Sequence, residues 1–333
     1  MILSSVSTSK SADKENSMND IVALNKHFSR LKRLPITVYD SPYFEQRLKI
    51  CDEMTPGLIS DYFSFTCNVG AQFDSSEEKY FAHYNEVKDS AIKYIQSTEG
   101  YHAFANVDIN YLPLVLWKKK YPKRDLYKED NDGQTFISID MKQANYNAWN
   151  FLFPDIFKGF DSWEALIHSY TNVDLIINSK YVRQVILGAC NPKRQITCEH
   201  YLMGSLLDHL LEQKPTLDIY SLGEDEILIK NNDIDFFENE LEQILASAPD
   251  NLGNIVRAEY FELRKIKGTD GWMKFIYDDG ELSDRPKFKC LDAEIYHQVV
   301  KHYYGMPIEE DDLVFYHNNR LARFLEPIAN PFI

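Results

Sequence analysis

The sequence predicts an α+β fold, with a mainly helical N-terminal region, a sheet-containing domain and a small helical C-terminal extension. Three observations predict this class. Apolar residues recur at helical spacing in the first hundred residues and again over 195–213. Short strand patterns separated by tight turns occupy 135–140 and 217–291. The composition, with 44% hydrophobic and 26% charged residues, is that of an ordinary globular protein.

The N-terminal part begins with a polar tail and continues as helices. Residues 1–18 are dominated by Ser, Lys, Asp and Glu, and we expect a disordered tail there. A helix is predicted over 19–34. A stronger helix opens at Ser75 and is expected to end at Gly100, with an apolar face formed by Tyr80, Tyr84, Val87, Ala91 and Ile95. A short strand is expected next, at Phe104, Val107 and Ile109.

The sequence then becomes polar, and we place a domain boundary near residue 130. It comes after a basic cluster formed by Lys118, Lys119, Lys120, Lys123 and Arg124. The predicted elements beyond it are a strand over 135–140, helices over 163–170, 180–189 and 195–213, a hairpin over 217–230, a helix over 233–246, strands over 256–266, 271–277 and 287–291, and a helix over 292–304. The apolar face of the 195–213 helix is predicted at Ile196, Met203, Leu206, Leu207, Leu210 and Leu211.

Two acidic motifs stand out in this half of the chain. Asp140 ends an apolar strand, and Asp225 lies in the tight acidic turn of the 217–230 hairpin. A two-metal site for phosphoryl or nucleotidyl transfer requires carboxylates from adjacent strands of a rigid sheet, so that two divalent ions can hold the attacking and leaving oxygens. A strand-end Asp next to a hairpin-tip Asp meets this requirement.

The two motifs resemble those of palm-domain nucleic-acid polymerases. FISIDMKQANYNAW resembles the first catalytic motif, in which an apolar strand ends in Asp and leads into a helix. IYSLGEDEILIK is similar to the second, a hairpin with acid at its tip. Gln143 and the run Asp225-Glu226-Ile227 match family A DNA polymerases in particular. The Gly-x-Asp-Glu of nucleotide cyclase-like and tRNA-guanylyl-transferring palms is matched equally well by Gly223 to Glu226.

The resemblance implies a palm-like antiparallel sheet with helices on one face. It further implies a fingers-like region over 19–130, a palm-like catalytic domain over 131–291 and a C-terminal extension over 292–333. The implied activity is two-metal-dependent nucleotidyl transfer, polymerase-like or by terminal nucleotide addition, with Mg²⁺ or Mn²⁺ as cofactor. The implied partners are a nucleoside triphosphate and a nucleic-acid primer or template.

The resemblance also assigns roles to residues of this sequence. Asp140, Asp225 and Glu226 are the expected catalytic residues, and Asp140, Asp225 and Glu224 the expected metal ligands. The expected nucleotide-binding residues are Arg183, Lys193, Arg194, Gln143 and Tyr146. Lys193 and Arg194 precede a predicted helix, whose first backbone N–H groups would help to hold phosphate.

The charge distribution favours a rival interpretation. The formal net charge is -15, and residues 215–333 hold 24 acidic residues against 12 basic ones. This balance argues against binding to nucleic acid by bulk charge, which depends on Lys and Arg, but it leaves open a nucleic-acid or nucleotide enzyme with a locally basic site. The alternative is a non-enzymatic scaffold or partner-binding protein, for example a viral one, which has an inactive palm and uses the acidic C-terminal third for a protein partner.

Cysteine usage and hydropathy indicate an intracellular protein, in the cytoplasm or the nucleus. The five Cys are odd in number and match no disulfide framework. The N-terminus lacks the pattern of a secretory signal. No apolar run reaches the roughly 18 residues of a membrane span, so no membrane association is expected.

Overall fold

The structure is a computed structural model that describes residues 9–107, 121–230, 233–278, 281–318 and 320–333. The α-helices are α1 Ser9–Lys32, α2 Tyr43–Met54, α3 Leu58–Phe73, α4 Glu77–Ser97, α5 Glu99–Asn106, α6 Ala144–Leu152, α7 Trp163–His168, α8 Asp174–Ile177, α9 Lys180–Gly188, α10 Pro192–Gln213, α11 Glu242–Ala246 and α12 Tyr296–Tyr303. The strands are β1 Thr135–Met141, β2 Ile219–Leu222, β3 Glu226–Lys230, β4 Val256–Lys265, β5 Trp272–Asp278, β6 Glu281–Leu282, β7 Lys287–Lys289, β8 Val314–His317 and β9 Arg320–Arg323. Among the described helices, none has the length and apolar character needed to cross a membrane.

The chain divides into two compact units. Unit one comprises 1–87, 172–181 and 291–333, and unit two comprises 88–171 and 182–290. The predicted boundary near residue 130 falls inside unit two, whereas the boundary predicted at 292 lies next to the start of the last segment of unit one. Helix α1 begins at Ser9, inside the tail that was expected to be disordered.

Unit one combines helices with a small hairpin. Aromatic side chains fill its interior: the rings of Phe28 and Phe65 lie 5.7 Å apart, and Tyr62 packs edge-on against Phe28. In the C-terminal extension, α12 contacts α2, and β8 pairs antiparallel with β9. The extension is therefore not only helical, as was predicted, but also contains a two-stranded sheet.

Unit two is built around a seven-stranded sheet, and this confirms the predicted α+β class. The strand order is β2-β3-β1-β4-β5-β6, with β7 also paired to β5, and every pairing is antiparallel. Helices separate β1 from β2, and a π-helical turn at Phe236–Leu241 followed by α11 separates β3 from β4. The first four strands thus follow a β-α-β-β-α-β connectivity with β1 and β3 in the centre.

The two faces of β1 differ in character, because successive side chains point to opposite sides of a sheet. One face carries Ile137 and Ile139, which are both fully buried. On this face Tyr260 of β4, which pairs with Ile137, packs against Phe237 of the π-helical turn. The other face carries Phe136, Ser138 and Asp140. Phe136 belongs to an apolar cluster on that face, formed with Leu126, Tyr220, Leu228, Phe261, Leu263 and Trp272.

The strand expected after Gly100 is wrong. Glu99–Asn106 is helical, with Thr98 as its N-cap, so Phe104 lies in a helix and Val107 follows the helix end. Ile109 lies outside the described residues. Gly100 does not end a helix but allows close packing, because a Cβ at this position would lie 2.3 Å from the carbonyl carbon of Asp155.

The long helix over 195–213 is confirmed as α10, but one end of its apolar face was predicted wrongly. Ile196 is 47% exposed. The buried stripe instead runs through Cys198, Glu199, Leu202, Met203, Leu206, Leu207 and Leu210. A carboxylate side chain, Glu199, therefore lies in the buried stripe, although it was not part of the predicted apolar face.

Candidate functional site

The candidate site lies where β1 ends beside the tip of the β2–β3 hairpin. Asp140 is paired in register with Glu226, and the backbone N–H of Met141 donates to the carbonyl oxygen of Asp225 over 2.9 Å. The hairpin turn is closed by the N–H of Gly223, which donates to the carbonyl of Glu226 over 2.8 Å. Asp140, Asp225 and Glu226 are thus neighbours at this end of the sheet, and we call this region the acidic end.

The Asp140 carboxylate is held by an arginine that the sequence interpretation missed. Arg257 lies directly opposite Asp140 on β4. Its Nη2 and Nε donate to Oδ2 of Asp140 over 2.9 and 3.1 Å. The Asp140 side chain is 29% exposed and that of Arg257 57%, so the pair is accessible to solvent.

Glu226 is the most enclosed carboxylate at the acidic end. The hydroxyl of Ser138, its neighbour on the same sheet face, donates to Oε1 of Glu226. Burial raises the pKa of Glu226, while the Ser138 hydrogen bond and the charge of Lys274 act to lower it and those of Asp140 and Asp225 to raise it. Glu226 therefore takes up a proton more readily than an exposed Glu does.

Glu224, at the tip of the hairpin, points to a basic partner. Lys123 Nζ lies 2.6 Å from Glu224 Oε1, and both side chains are substantially exposed. The hydrogen bond from Lys123 holds the pKa of Glu224 below its usual value. Within the predicted basic cluster, Lys118, Lys119 and Lys120 lie outside the described residues, and Arg124 packs over the ring of Tyr220.

Helix α10 places a second buried carboxyl group near the hairpin tip. Burial raises the pKa of Glu199 to about 7, although the hydrogen bond from Gln195 acts to lower it, and the charges of Asp225 and Glu224 raise it further. The next residue, His200, has its Nδ1 3.1 Å from the carbonyl oxygen of Gly223. The sequence signal for Glu199 was available, since an acidic residue interrupts the apolar stripe of an amphipathic helix.

A compact charge cluster lies further along the same face of the sheet as Asp140. Lys274 Nζ is 2.8 Å from Glu259 Oε2, and Lys287 Nζ is 3.2 Å from Glu259 Oε1. Burial acts to raise the pKa of Glu259, but the two lysines outweigh it and lower that pKa to about 2. This face therefore presents both signs of charge next to the acidic end.

The two arginines among the predicted nucleotide-binding residues have their guanidinium groups bound within the protein. Arg183 is 5% exposed, and its Nε donates to Oδ1 of Asn145 over 3.1 Å. Arg194 Nη1 donates to the carbonyl oxygens of Phe104 and Val107, over 3.1 and 2.7 Å, at the end of α5. These contacts give both guanidinium groups a structural role, and the function proposed below does not use them.

The remaining predicted nucleotide-binding residues differ in accessibility. Lys193 is exposed in the first turn of α10. Gln143 precedes α6 in a left-handed conformation, and its amide donates to Glu164 over 2.9 Å. Tyr146 is 5% exposed, packs against Phe157, and has a buried hydroxyl without a hydrogen-bond partner. Lys193 is thus the most accessible of the three to a phosphate group.

The donor set at the acidic end suits a hard cation, but the carboxylates are not yet gathered around one point. Asp140 and Asp225 supply the oxygen ligands that Mg²⁺ prefers. Among the residues that the structure describes, no group of three or more His, Cys, Asp or Glu side chains is arranged to hold a metal ion. Of these two carboxylates, Asp140 is already paired with Arg257.

Comparison of the chain with protein-family models, with curated proteins and with solved structures found no significant match. The functional interpretation therefore depends on the geometry of the acidic end itself.

Proposed function

We propose that unit two catalyses metal-dependent nucleotidyl transfer through a palm-like sheet. The observation that carries the proposal is the β-α-β-β-α-β connectivity, which brings the end of β1 beside the β2–β3 turn, so that Asp140 faces Glu226 and the Met141 amide binds the Asp225 carbonyl. The substrate is a nucleoside triphosphate, and the acceptor is a hydroxyl group, for example that of a nucleic-acid primer.

In this proposal Asp140 and Asp225 hold Mg²⁺ or Mn²⁺, and Glu224 or Glu226 assists. When bound, the two ions supply charge stabilisation for the attacking and leaving oxygens. Glu226, whose pKa is raised by burial, is the candidate for holding a proton near the acceptor hydroxyl. Lys193 and Arg257 are the candidates for neutralising phosphate, because both are exposed cations of this unit.

Nucleotide incorporation tests the proposal. We expect Mg²⁺-dependent transfer from a labelled nucleoside triphosphate by the full chain, and a loss of at least about 100-fold in Asp140→Asn and Asp225→Asn, since removing one electrostatic catalytic group typically costs this much. The matched control is Asp218→Asn, the same change at the far end of the hairpin, where Asp218 is exposed. Undiminished activity in both site variants would refute the assignment.

A second candidate function is a non-enzymatic, partner-binding role, and one observation favours it. The Arg257–Asp140 ion pair already neutralises a predicted metal ligand, and no three-ligand group occurs among the described residues. A protein of this kind uses the acidic end as a fixed structural element and the acidic C-terminal third for a partner. It would show no carboxylate-dependent uptake of Mg²⁺ or Mn²⁺.

A further inference from the structure

A cavity of 490 Å³ lies beside the acidic end, and Arg257 is common to both. One wall is helical, from the π-helical turn and α11. The other is formed by Gly253 and Asn254, by the first three residues of β4 (256–258), and by Lys142, two residues beyond Asp140. The volume is within the range of sites that take small molecules, roughly 300–1,000 Å³.

The backbones of the two walls approach each other closely at Gly253. A Cβ at Gly253 would lie 1.9 Å from the carbonyl oxygen of Leu245, on the opposite wall. Only glycine fits at such a distance. A π-helical turn such as Phe236–Leu241 is itself uncommon and is found frequently at functional sites.

The charges of the cavity are separated between its walls. Lys142 and Arg257 belong to the sheet wall. The Lys142 Nζ is held 3.2 Å from the carbonyl oxygen of Asn254, and the Arg257 guanidinium is bound to Asp140. Glu238 and Glu242, both exposed, lie on the helical wall. A ligand that is anionic at one end and donates hydrogen bonds at the other matches this separation.

Apolar and aromatic side chains line the cavity between the charged groups. Leu241 and Val256 are buried there, and Phe237 packs against Tyr260, with ring centroids 5.7 Å apart. The Phe237 ring is thus positioned to contact a planar group. A nucleotide whose base carries an amino group combines all three requirements: a phosphate, a flat apolar base and a hydrogen-bond donor.

We propose that this cavity binds such a nucleotide, with its phosphate on Lys142 and Arg257 and its base toward Phe237 and the helical wall, and that binding draws Arg257 away from Asp140. Occupation of the cavity then opens the Asp140 carboxylate for the reaction. The choice of a nucleotide, and the coupling to Asp140, rest on the proposed function. The cavity and its charge separation do not depend on it.

Adenosine monophosphate in the presence of EDTA tests the site apart from metal and catalysis. Calorimetric titration of the full chain should show one site, weakened at least about tenfold by Lys142→Ala, because a hydrogen bond to a charged group is lost. The matched control Lys123→Ala removes an exposed, ion-paired lysine that does not line the cavity, and it should leave the affinity unchanged. Absence of binding, or equal effects of the two variants, would overturn the proposal.

Purine riboside monophosphate tests the position of the base, because it differs from adenosine monophosphate only by lacking the amino group that would donate to Glu238 and Glu242. We expect it to bind several-fold more weakly than adenosine monophosphate. Equal affinities would overturn the assignment of the base to the helical wall.

Asp140→Asn tests whether Asp140 and the bound nucleotide compete for Arg257. Without its carboxylate partner Arg257 is released, and the affinity for adenosine monophosphate should rise about two- to fivefold, the range that corresponds to an exposed ion pair. Asp225→Asn removes the same charge nearby and should change the affinity less. Equal gains in both variants would contradict the release of Arg257.

The outcomes separate the two proposals. If adenosine monophosphate binds to the wild type and this binding is lost in Lys142→Ala, the cavity proposal is supported. If the same wild-type protein shows no nucleotide incorporation, the catalytic proposal is refuted. Incorporation that depends on Asp140 and Asp225, without any metal-free binding of adenosine monophosphate, refutes the cavity alone.

Discussion

Glu259→Gln is the substitution whose effect on stability the structure defines most sharply. Glu259 binds Lys274 and Lys287, and its side chain is 20% exposed, against 10% for Lys274. Removing the carboxylate leaves a nearly buried ammonium group without its counter-charge. The pKa of Glu259 is about 2, compared with the usual 4.5. At 1.36 kcal/mol per pKa unit, this difference corresponds to a stabilisation of the folded state by about 3 kcal/mol. We therefore expect the variant to lose about 3 kcal/mol of unfolding free energy at pH 7.

The pH dependence follows from the direction of that shift. A carboxyl group whose pKa is lower in the folded state stabilises fully above its unfolded pKa of about 4.5, and this contribution is lost as the pH falls through about 2. The difference in unfolding free energy between wild type and Glu259→Gln should therefore fall at pH 3 to about half of its value at pH 7. Urea titration followed by tryptophan fluorescence measures it, because Trp149, Trp163 and Trp272 are buried in unit two.

Glu262→Gln is the matched control on the same strand. Glu262 pairs with Arg264, whose side chain is 48% exposed, and such a surface pair contributes less than about 1 kcal/mol. Equal losses of stability in the two variants, or a Glu259→Gln effect that does not change between pH 7 and pH 3, would refute the reasoning.

Three further predictions concern packing and thiol access. Gly253→Ala should destabilise unit two by more than about 2 kcal/mol in urea titration, because the added Cβ would clash with the opposite cavity wall. The control Gly188→Ala should be neutral or stabilising by up to about 1 kcal/mol, because a Cβ at this helical position meets no other atom. Tyr146→Phe should not lower the unfolding free energy, because it removes a buried hydroxyl that has no hydrogen-bond partner; a loss above about 1 kcal/mol would contradict this. Ellman's reagent should modify two of the five thiols quickly in the native protein and three only on unfolding; the two exposed cysteines are Cys67 and Cys290.

Local sequence signals predicted the parts of the fold that depend on neighbouring residues. The strand ending at Asp140 and the hairpin around Asp225 were found because alternating apolar residues and a Gly-Glu-Asp turn specify them within a few positions. The short strand at Phe104 was mispredicted because Gly100 has the appearance of a helix end, while its actual role is contact with the backbone of Asp155, far away in the sequence.

The electrostatic partners of the site were not predictable in the same way. Arg257 faces Asp140 only through the register of β4 with β1, 117 residues apart, and no local pattern defines that register. The guanidinium of Arg183 was expected to be free for phosphate, but its helix turns it into the interior toward Asn145. Pairing between distant segments therefore determined which charged residues are available at the acidic end.

Calorimetric titration of the full chain with Mn²⁺, in the presence of a nucleoside triphosphate, tests most directly whether the acidic end is a metal site. We expect uptake of Mn²⁺ beyond that of the nucleotide itself, and we expect it to be lost in Asp140→Asn and in Asp225→Asn and retained in Asp218→Asn. Uptake that is absent from the wild type, or unchanged in both site variants, would contradict it.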